Sequence, residues 1–487
     1  MNALKGSGPK ILVAFVVGAL FGAITVAQIA PNLTTTTAVG TQPDQTTGPG
    51  VLNPSVSPTG TSTVLGNGPL TSQPGTQAGA ACAAGRNGGA TDKGVTATEI
   101  KLATTVVRSG VGAAFLGDVQ FAMEAVRNKV NRAGGICGRQ LTIKYVDDGW
   151  RADLGTQFLR SFIQEGVFAI PVGPSSEGLN RVIEAGDIRR AKIPVVGTDG
   201  MTITQYQDPW VWPVAVATAS SARIMAQNAY KRGARSFAIV FDNDYRFGVE
   251  AAAAFNKEVR RLTGKDVAGF NTQNRCEASF CGIESNQPGY RNEVNTMGQQ
   301  QFDYLAMFLE PQTALTWMST PGAPTIASRN LKPGMIGLAQ PLFTRNFANS
   351  CQTNCHQMWV WTGYKPPIEN YADDPAVRTF VADLARTKPD ADESNAFAEG
   401  GYIGMQLLVE ALRAVGPTLT RERLRAVLDG MRFSGGLTLQ SALVWPAAPA
   451  RYAASTMQAF EIQYLSAFGG WRSKDIVIDP RPTAGIG

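Results

Sequence analysis

Apolar residues run along this chain in two alternating rhythms. Short runs rich in Ile, Val, Phe and Ala occupy Ile100–Val107, Gln140–Val146, Val167–Val172 and Ile193–Val196, and between them apolar side chains recur at helical spacing. After a glycine-bearing loop, Val119, Met123, Val126 and Val130 share one face, the pattern of a helix packed on a sheet. Further helices are predicted over Ala152–Gln164 and Glu177–Ile188. Strands that alternate with helices imply right-handed crossovers, so this stretch predicts a parallel sheet covered on both faces.

The alternation restarts after Trp210-Val-Trp-Pro213. A helix over Ser221–Lys231 leads into a strand at Ser236–Phe241, a helix from Gly248 to Leu262 and a strand at Val267–Asn271. Phe302–Phe308 and Met335–Leu338 read as further buried strands of a second doubly wound lobe. Trp359–Trp361 is too short a strand, and Asn395–Val415 too isolated a helix, to form a third core, so the later segments must return to the first two lobes. With 487 residues the chain exceeds one compact core, and an α/β fold of two doubly wound parallel-sheet lobes accounts for it.

Two stretches carry more than periodicity. Asn131–Asp148 ends a helix with Gly134-Gly135 and launches a strand that finishes in Asp147-Asp148; Val172-Gly-Pro-Ser-Ser-Glu177 follows at a strand-helix spacing. That order resembles the extracytoplasmic solute-binding proteins of ABC transporters with the type I fold, the class containing the leucine/isoleucine/valine-binding protein. The resemblance covers about Thr91 to Arg472. It implies three crossings between lobes that form a hinge, with 91–212 and 343–429 in the first lobe, 213–342 and 430–475 in the second, and 476–487 as a tail.

Open parallel sheets bind ligands beyond the carboxyl ends of their strands. Three loops of the first lobe fit: Arg108–Ala114, Gly173–Glu177 and Gly197–Gly200. Ser175 and Ser176 suit a helix cap, and free N–H groups there suit an anionic oxygen. The resemblance implies that the loops at Ser175-Ser176 and Thr198-Asp199-Gly200 hold the carboxylate and ammonium ends of an amino-acid ligand. On the second lobe it places Tyr245 or Phe247, within Asp242–Gly248, over the ligand, with Glu310 and Gln340 at neighbouring strand ends. Arg108 departs from a loop that is usually small and neutral, and would pair with a second acidic group on the ligand. Cys276–Gly289 inserts a loop near the mouth of the cleft. Asp147-Asp148-Gly-Trp150 is better read as a strand-end turn bonding local amides than as an acid-base pair, with Trp150 either packing or lining the cleft.

Composition narrows the function. Hydrophobic residues make up 44% and charged residues 17%, and the net charge of +6 includes no Lys/Arg block, which argues against nucleic acid as a partner. Lys5 and Lys10 precede Ile11–Ala30, an uncharged stretch of twenty residues long enough to cross a hydrocarbon core about 30 Å thick. Residues 1–30 therefore read as either a cleaved signal peptide or a retained signal-anchor helix, placing the folded part outside the cytoplasm, secreted or anchored. Residues 31–90, rich in Thr, Pro, Gly and Ser, read as a disordered linker. Six cysteines in an exported chain suggest disulfides. Short spacings favour Cys276 with Cys281 and Cys351 with Cys355, leaving Cys82 with Cys137; a zinc site at Cys351, Cys355 and His356 is the competing idea. His356 is the sole histidine, and no Gly-x-Ser-x-Gly, P-loop or His-Glu-x-x-His pattern is present, which argues against an enzyme; no cofactor is implied. The expected function is capture of a small polar solute, an amino acid or related compound, for delivery to an ABC permease. The alternative is a membrane-tethered sensor or surface scaffold on the same fold.

Overall fold

The first apolar run becomes β1 (Glu99–Val106), which pairs in parallel with β2 (Gln140–Asp147). The structure is a computed structural model that describes Cys82 and residues 86–465 and 468–482. The expected signal or anchor segment, and nearly all of the expected linker, lie outside the described residues. Among the described residues no helix is long and apolar enough to cross a membrane.

Between β1 and β2 lie a short helix α1 (Ala113–Leu116) and α2 (Val119–Arg132). Val119, Met123, Val126 and Val130 of α2 are buried, as their spacing predicts, with Ala122 and Ala125 filling the same face. Next comes α3 (Ala152–Glu165), closed by Gly166 in the left-handed conformation that glycine adopts readily. The predicted strand at 167–172 shrinks to β3 (Ile170–Pro171), but its backbone still bridges the sheet: Phe168 N–H donates to Lys101 O and Ile170 N–H to Pro194 O. The predicted helix over Glu177–Ile188 is broken by Gly186 into α4 (Ser176–Glu184) and α5 (Asp187–Ala191). β4 (Val195–Thr198) and β5 (Val211–Pro213) continue the parallel array, and a bridge between Leu102 and Ala169 joins the two groups in the order β2-β1-β3-β4-β5.

The second sheet follows α6 (Thr218–Lys231). It contains β6 (Phe237–Asp242), then α7 (Arg246–Thr263), β7 (Gly282–Ile283), α8 (Arg291–Gly298), β8 (Tyr304–Phe308), α9 (Pro311–Ser319) and β9 (Ile336–Leu338). The next segments are α10 (Arg345–Cys351) and β10 (Trp359–Thr362). Three helices then return to the first lobe: α11 (Pro375–Thr387), α12 (Ala396–Val415) and α13 (Arg421–Gly430). A closing hairpin of β11 (Thr456–Leu465) and β12 (Phe468–Ile478) completes a seven-stranded sheet in the order β12-β11-β10-β9-β8-β6-β7. The hairpin is antiparallel and the rest of the sheet parallel.

Three expectations need correction. Val267–Asn271 is not a strand: Val267 N–H donates to Asn256 Oδ1 on α7, Ala268 N–H to Phe237 O at the start of β6, and Phe270 bridges back to Cys276, so its backbone goes to scattered partners and forms no ladder. The edge beside β6 is β7, which comes from the loop expected at the cleft mouth. Second, 343–362 belongs with the second sheet, because Trp359 pairs with Gly337 on one side and Glu461 on the other. The second crossing therefore falls after Thr362 rather than near 343. Third, 476–478 complete β12, and Asp479 is a buried partner of Arg223, whose Nε and Nη2 lie 3.0 and 2.8 Å from Oδ2, so the tail begins later than expected.

The crossings touch one another. Val216 bridges to Ala454, Tyr364 bridges to Thr438, and Leu439 N–H donates to Gly363 O. In the first lobe α12 lies directly on β4, where Gly197, at φ 83, meets Gly404 with backbone against backbone. The three disulfides join Cys82 to Cys137, Cys276 to Cys281 and Cys351 to Cys355. Both thiols of the zinc alternative are thus consumed, and His356 Nδ1 accepts a 3.3 Å bond from Tyr464 N–H.

Candidate functional site

A cavity lies between the lobes, beyond the carboxyl ends of both sheets. The first lobe supplies Phe115, Trp150, Ser176, Glu177, Asp199 and Phe397 to its wall, and the second supplies Tyr245, Phe247, Glu310 and Pro341. Its walls bound about 400 Å³, counting space that opens to solvent, but only about 20 Å³ is free to the centre of a water molecule. That is room for about one water. A larger occupant requires the lobes to part.

The polar floor is built on α4. Ser175 stands at its N-cap, yet its hydroxyl donates to Asp148 Oδ1 at 2.7 Å instead of accepting from the helix. Ser176 Oγ donates to Asp199 Oδ2 at 2.8 Å. Asp199 Oδ1 accepts from Gln205 Nε2 at 2.9 Å and from Met201 N–H at 3.2 Å. Burial pushes the Asp199 carboxyl up to about 6, against the pull of Gln205, Ser176 and Met201. Thr198 is wholly buried behind this floor with no partner for its hydroxyl, and Gly200 takes φ 63 where its carbonyl lies 3.0 Å from the Tyr206 hydroxyl. The Asp147-Asp148 turn bonds local amides as expected: Asp147 Oδ1 accepts from Arg108 and Gly149 N–H, and Asp148 Oδ1 from Trp150 N–H.

Aromatic rings form the walls. Trp150 has a left-handed backbone, φ 62, which is rare for a bulky residue and marks local strain. Its ring meets Tyr245 of the opposite lobe, stacked with centroids 4.4 Å apart, and Phe115 edge-on at 5.2 Å. Phe397 extends the cluster 5.6 Å from Phe115. On the second lobe Glu310 caps α9, accepting from Gln312 N–H at 2.8 Å and from Thr313 N–H, while its own N–H donates to Asp242 Oδ2 at 2.6 Å. Burial raises the Glu310 and Asp242 carboxyls, and the two also repel.

Direct bonds latch the lobes together. Glu177 Oε1 of the first lobe accepts from Arg246 N–H, the first residue of α7, at 2.9 Å. The Arg246 guanidinium pairs with Glu184 and bonds Thr204 Oγ1 at 3.1 Å. In return Glu250 of α7 accepts from Ile203 N–H at 2.7 Å, and burial pushes its carboxyl up to about 7.

Of the expected residues, Ser176, Asp199, Tyr245, Phe247 and Glu310 meet at the cavity, while Ser175, Thr198 and Gly200 support it from behind. Gln340 lines a smaller neighbouring cavity with Asp199 and Tyr364, and its Oε1 accepts a 3.4 Å bond from Gly363 N–H. Arg108 is the correction: its side chain is exposed and outside the lining, because the preceding Val107 takes the inward position at the strand end. Sequence reasoning places Glu177 in a ligand loop without giving it a role, and misses Phe115, Pro341 and Phe397. Phe115 is visible as an aromatic in the glycine loop after β1; Phe397 has no local signal, since only the return of α12 brings it here. Among the described residues no group of three His, Cys, Asp or Glu is placed to hold a metal ion.

Residues 99–459 match the family described as periplasmic binding protein. A search of curated proteins found no match. Solved structures share the fold. A fatty acid ABC transporter substrate-binding protein from Thermomonospora curvata is 18% identical with a TM-score of 0.68, over 82% of this chain and 97% of its own. A solute binding protein of an ABC transporter from Rhodopseudomonas palustris HaA2, in complex with p-hydroxybenzoic acid, is 15% identical with a TM-score of 0.65, over 78% and 97%. A putative branched-chain amino acid ABC transporter from Rhodospirillum rubrum is 18% identical with a TM-score of 0.53, over 77% and 100%.

Proposed function

Because the chain belongs to the periplasmic binding protein family, whose members bind substrates outside the cytoplasm, we propose that it captures a small polar solute between its two lobes and presents the closed form to an ABC permease. The observation that carries this reading is the cavity itself, walled by Ser176, Asp199 and Trp150 from one lobe and Tyr245, Phe247 and Glu310 from the other. Contacts made by both lobes exist only when the cleft is shut, so a solute that touches both favours closure by its differential affinity. An amino acid or related compound suits polar groups grouped at one floor and aromatic walls above. Fatty acids and aromatic acids, named for the structural relatives, are the competing classes. Anchoring or secretion follows the reading of residues 1–30.

A tethered sensor or scaffold is the second reading. It is favoured by the direct Trp150–Tyr245 stack and the Arg246 latch, which let the lobes close on each other. The discriminating experiment is thermal melting of the full chain, dialysed free of bound small molecules, against amino acids, amines, amides, fatty acids and aromatic acids. Capture predicts that one chemical class raises the melting temperature in proportion to the logarithm of its concentration above Kd. A flat response over the whole panel from folded protein supports the sensor or scaffold reading.

A further inference from the structure

We infer that the charged group this cavity recognises is a cation: it takes an amine or similar organic cation with a flat apolar body, and disfavours a solute whose only charge is a carboxylate. The inference rests on the solute-capture reading and narrows it. Three carboxyl residues reach the cavity wall, Glu177 and Asp199 from one lobe and Glu310 from the other, while no Lys, Arg or His lines it among the described residues. Arg246, beside the wall residue Glu177, is already engaged, paired with Glu184 and with its Nε 3.9 Å from Glu177 Oε2.

Acids from both lobes surround one ring: the Tyr245 hydroxyl is held above its ordinary range first by burial and then by Asp244, Glu310, Asp242 and Glu177. Asp199 Oδ2 and the two Glu310 oxygens each accept one local bond, which leaves each a second lone pair for a donor on the ligand. The aromatic faces of Trp150 and Tyr245 add negative quadrupoles that favour a cation close above them. An incoming carboxylate that approaches the first N–H groups of α4 meets Glu177 and Asp199 there. Like charges at such range in a dry cavity disfavour it. The flat body follows from the Trp150–Tyr245 pair: opening their 4.4 Å stack to roughly 7 Å, two carbon contact distances, admits one planar ring.

Calorimetric titration of the full chain at pH 7.5 with benzylamine, benzyl alcohol and benzoate, similar in size and differing in charge, tests this. Benzylamine is expected to bind on the order of thirtyfold tighter than benzyl alcohol, with benzoate weaker still. In Glu310→Gln the amide oxygen can keep one of the two cap bonds, and the gap between benzylamine and benzoate is expected to narrow, whereas a merely structural role would lower stability and leave the gap unchanged. Benzoate binding as tightly as benzylamine overturns the charge assignment while leaving solute capture intact. Isopentylamine binding where benzylamine does not overturns the flat body alone. If no amine binds but another class raises the melting temperature, the inference fails and capture stands; if nothing in either experiment binds, the capture reading itself fails.

Discussion

A single missing side chain decides how α12 meets β4. A Cβ built at Gly404 falls against the backbone of Gly197, and one built at Gly197 falls against Gly404, so the contact has no flexible atom to give way. Gly430, at the end of α13, would place a Cβ in open space, with nothing within 4 Å, and serves as the control. Gly404→Ala is therefore expected to lower unfolding free energy by about 1–3 kcal/mol, the cost of overpacking. Gly430→Ala should leave it unchanged or slightly higher. Urea unfolding followed by circular dichroism measures both. Equal effects would mean that the close approach does not matter. The same residue scale explains why half of the candidate site is legible in the sequence. Ser176, Asp199 and Phe247 closely follow apolar runs, at the strand ends where sheet geometry places ligands. Arg108 departs from its expected place because a charge in a sequence carries no direction, and Phe397 gives no signal because its neighbours in the cavity are distant along the chain.

At the scale of elements, α7 is the latch. Its first residue is bonded by Glu177 and its second turn carries Glu250, which faces Ile203 N–H, Arg246, Glu177 and Glu184. Burial raises the Glu250 carboxyl from 4.5 to about 7, and the same cause lifts Asp199 from 3.8 to about 6. A folded-state value above the unfolded one means that the fold prefers the protonated acid. The stability this contributes is fully present below about pH 4 and is lost as pH rises through 6 to 7. The melting temperature of the solute-free chain is expected to fall between pH 5 and pH 8, and Glu250→Gln should flatten part of that slope. An identical slope in the variant would remove Glu250 from the latch. Elements with their own periodicity, such as α2 with its Val119-to-Val130 face, are readable from sequence alone. Strands are readable only where the apolar run is long. Val267–Asn271 has strand composition but its backbone bonds go to an α7 side chain, the first residue of β6 and a local turn, and β10 is assigned to a lobe only through Gly337 and Glu461 far along the chain.

At the scale of the whole molecule, the described residues form two sheets, three crossing segments that touch, and a cavity between the lobes with a polar floor from the first lobe and aromatic walls from both. The bilobed plan is visible in the restart of the strand-helix alternation after Pro213, while the latch is not, because it joins Glu177 to Arg246 and Ile203 to Glu250 across the cleft. The central claim is that solute binds where Trp150 meets Tyr245. The most direct measurement is calorimetric titration of the full chain, and of the Trp150→Ala/Tyr245→Ala double variant, with the solute that most raises the melting temperature. One saturable site per chain is expected, with affinity lower by roughly thirtyfold or more in the variant. Equal affinity in the two proteins would place the solute elsewhere and contradict the account.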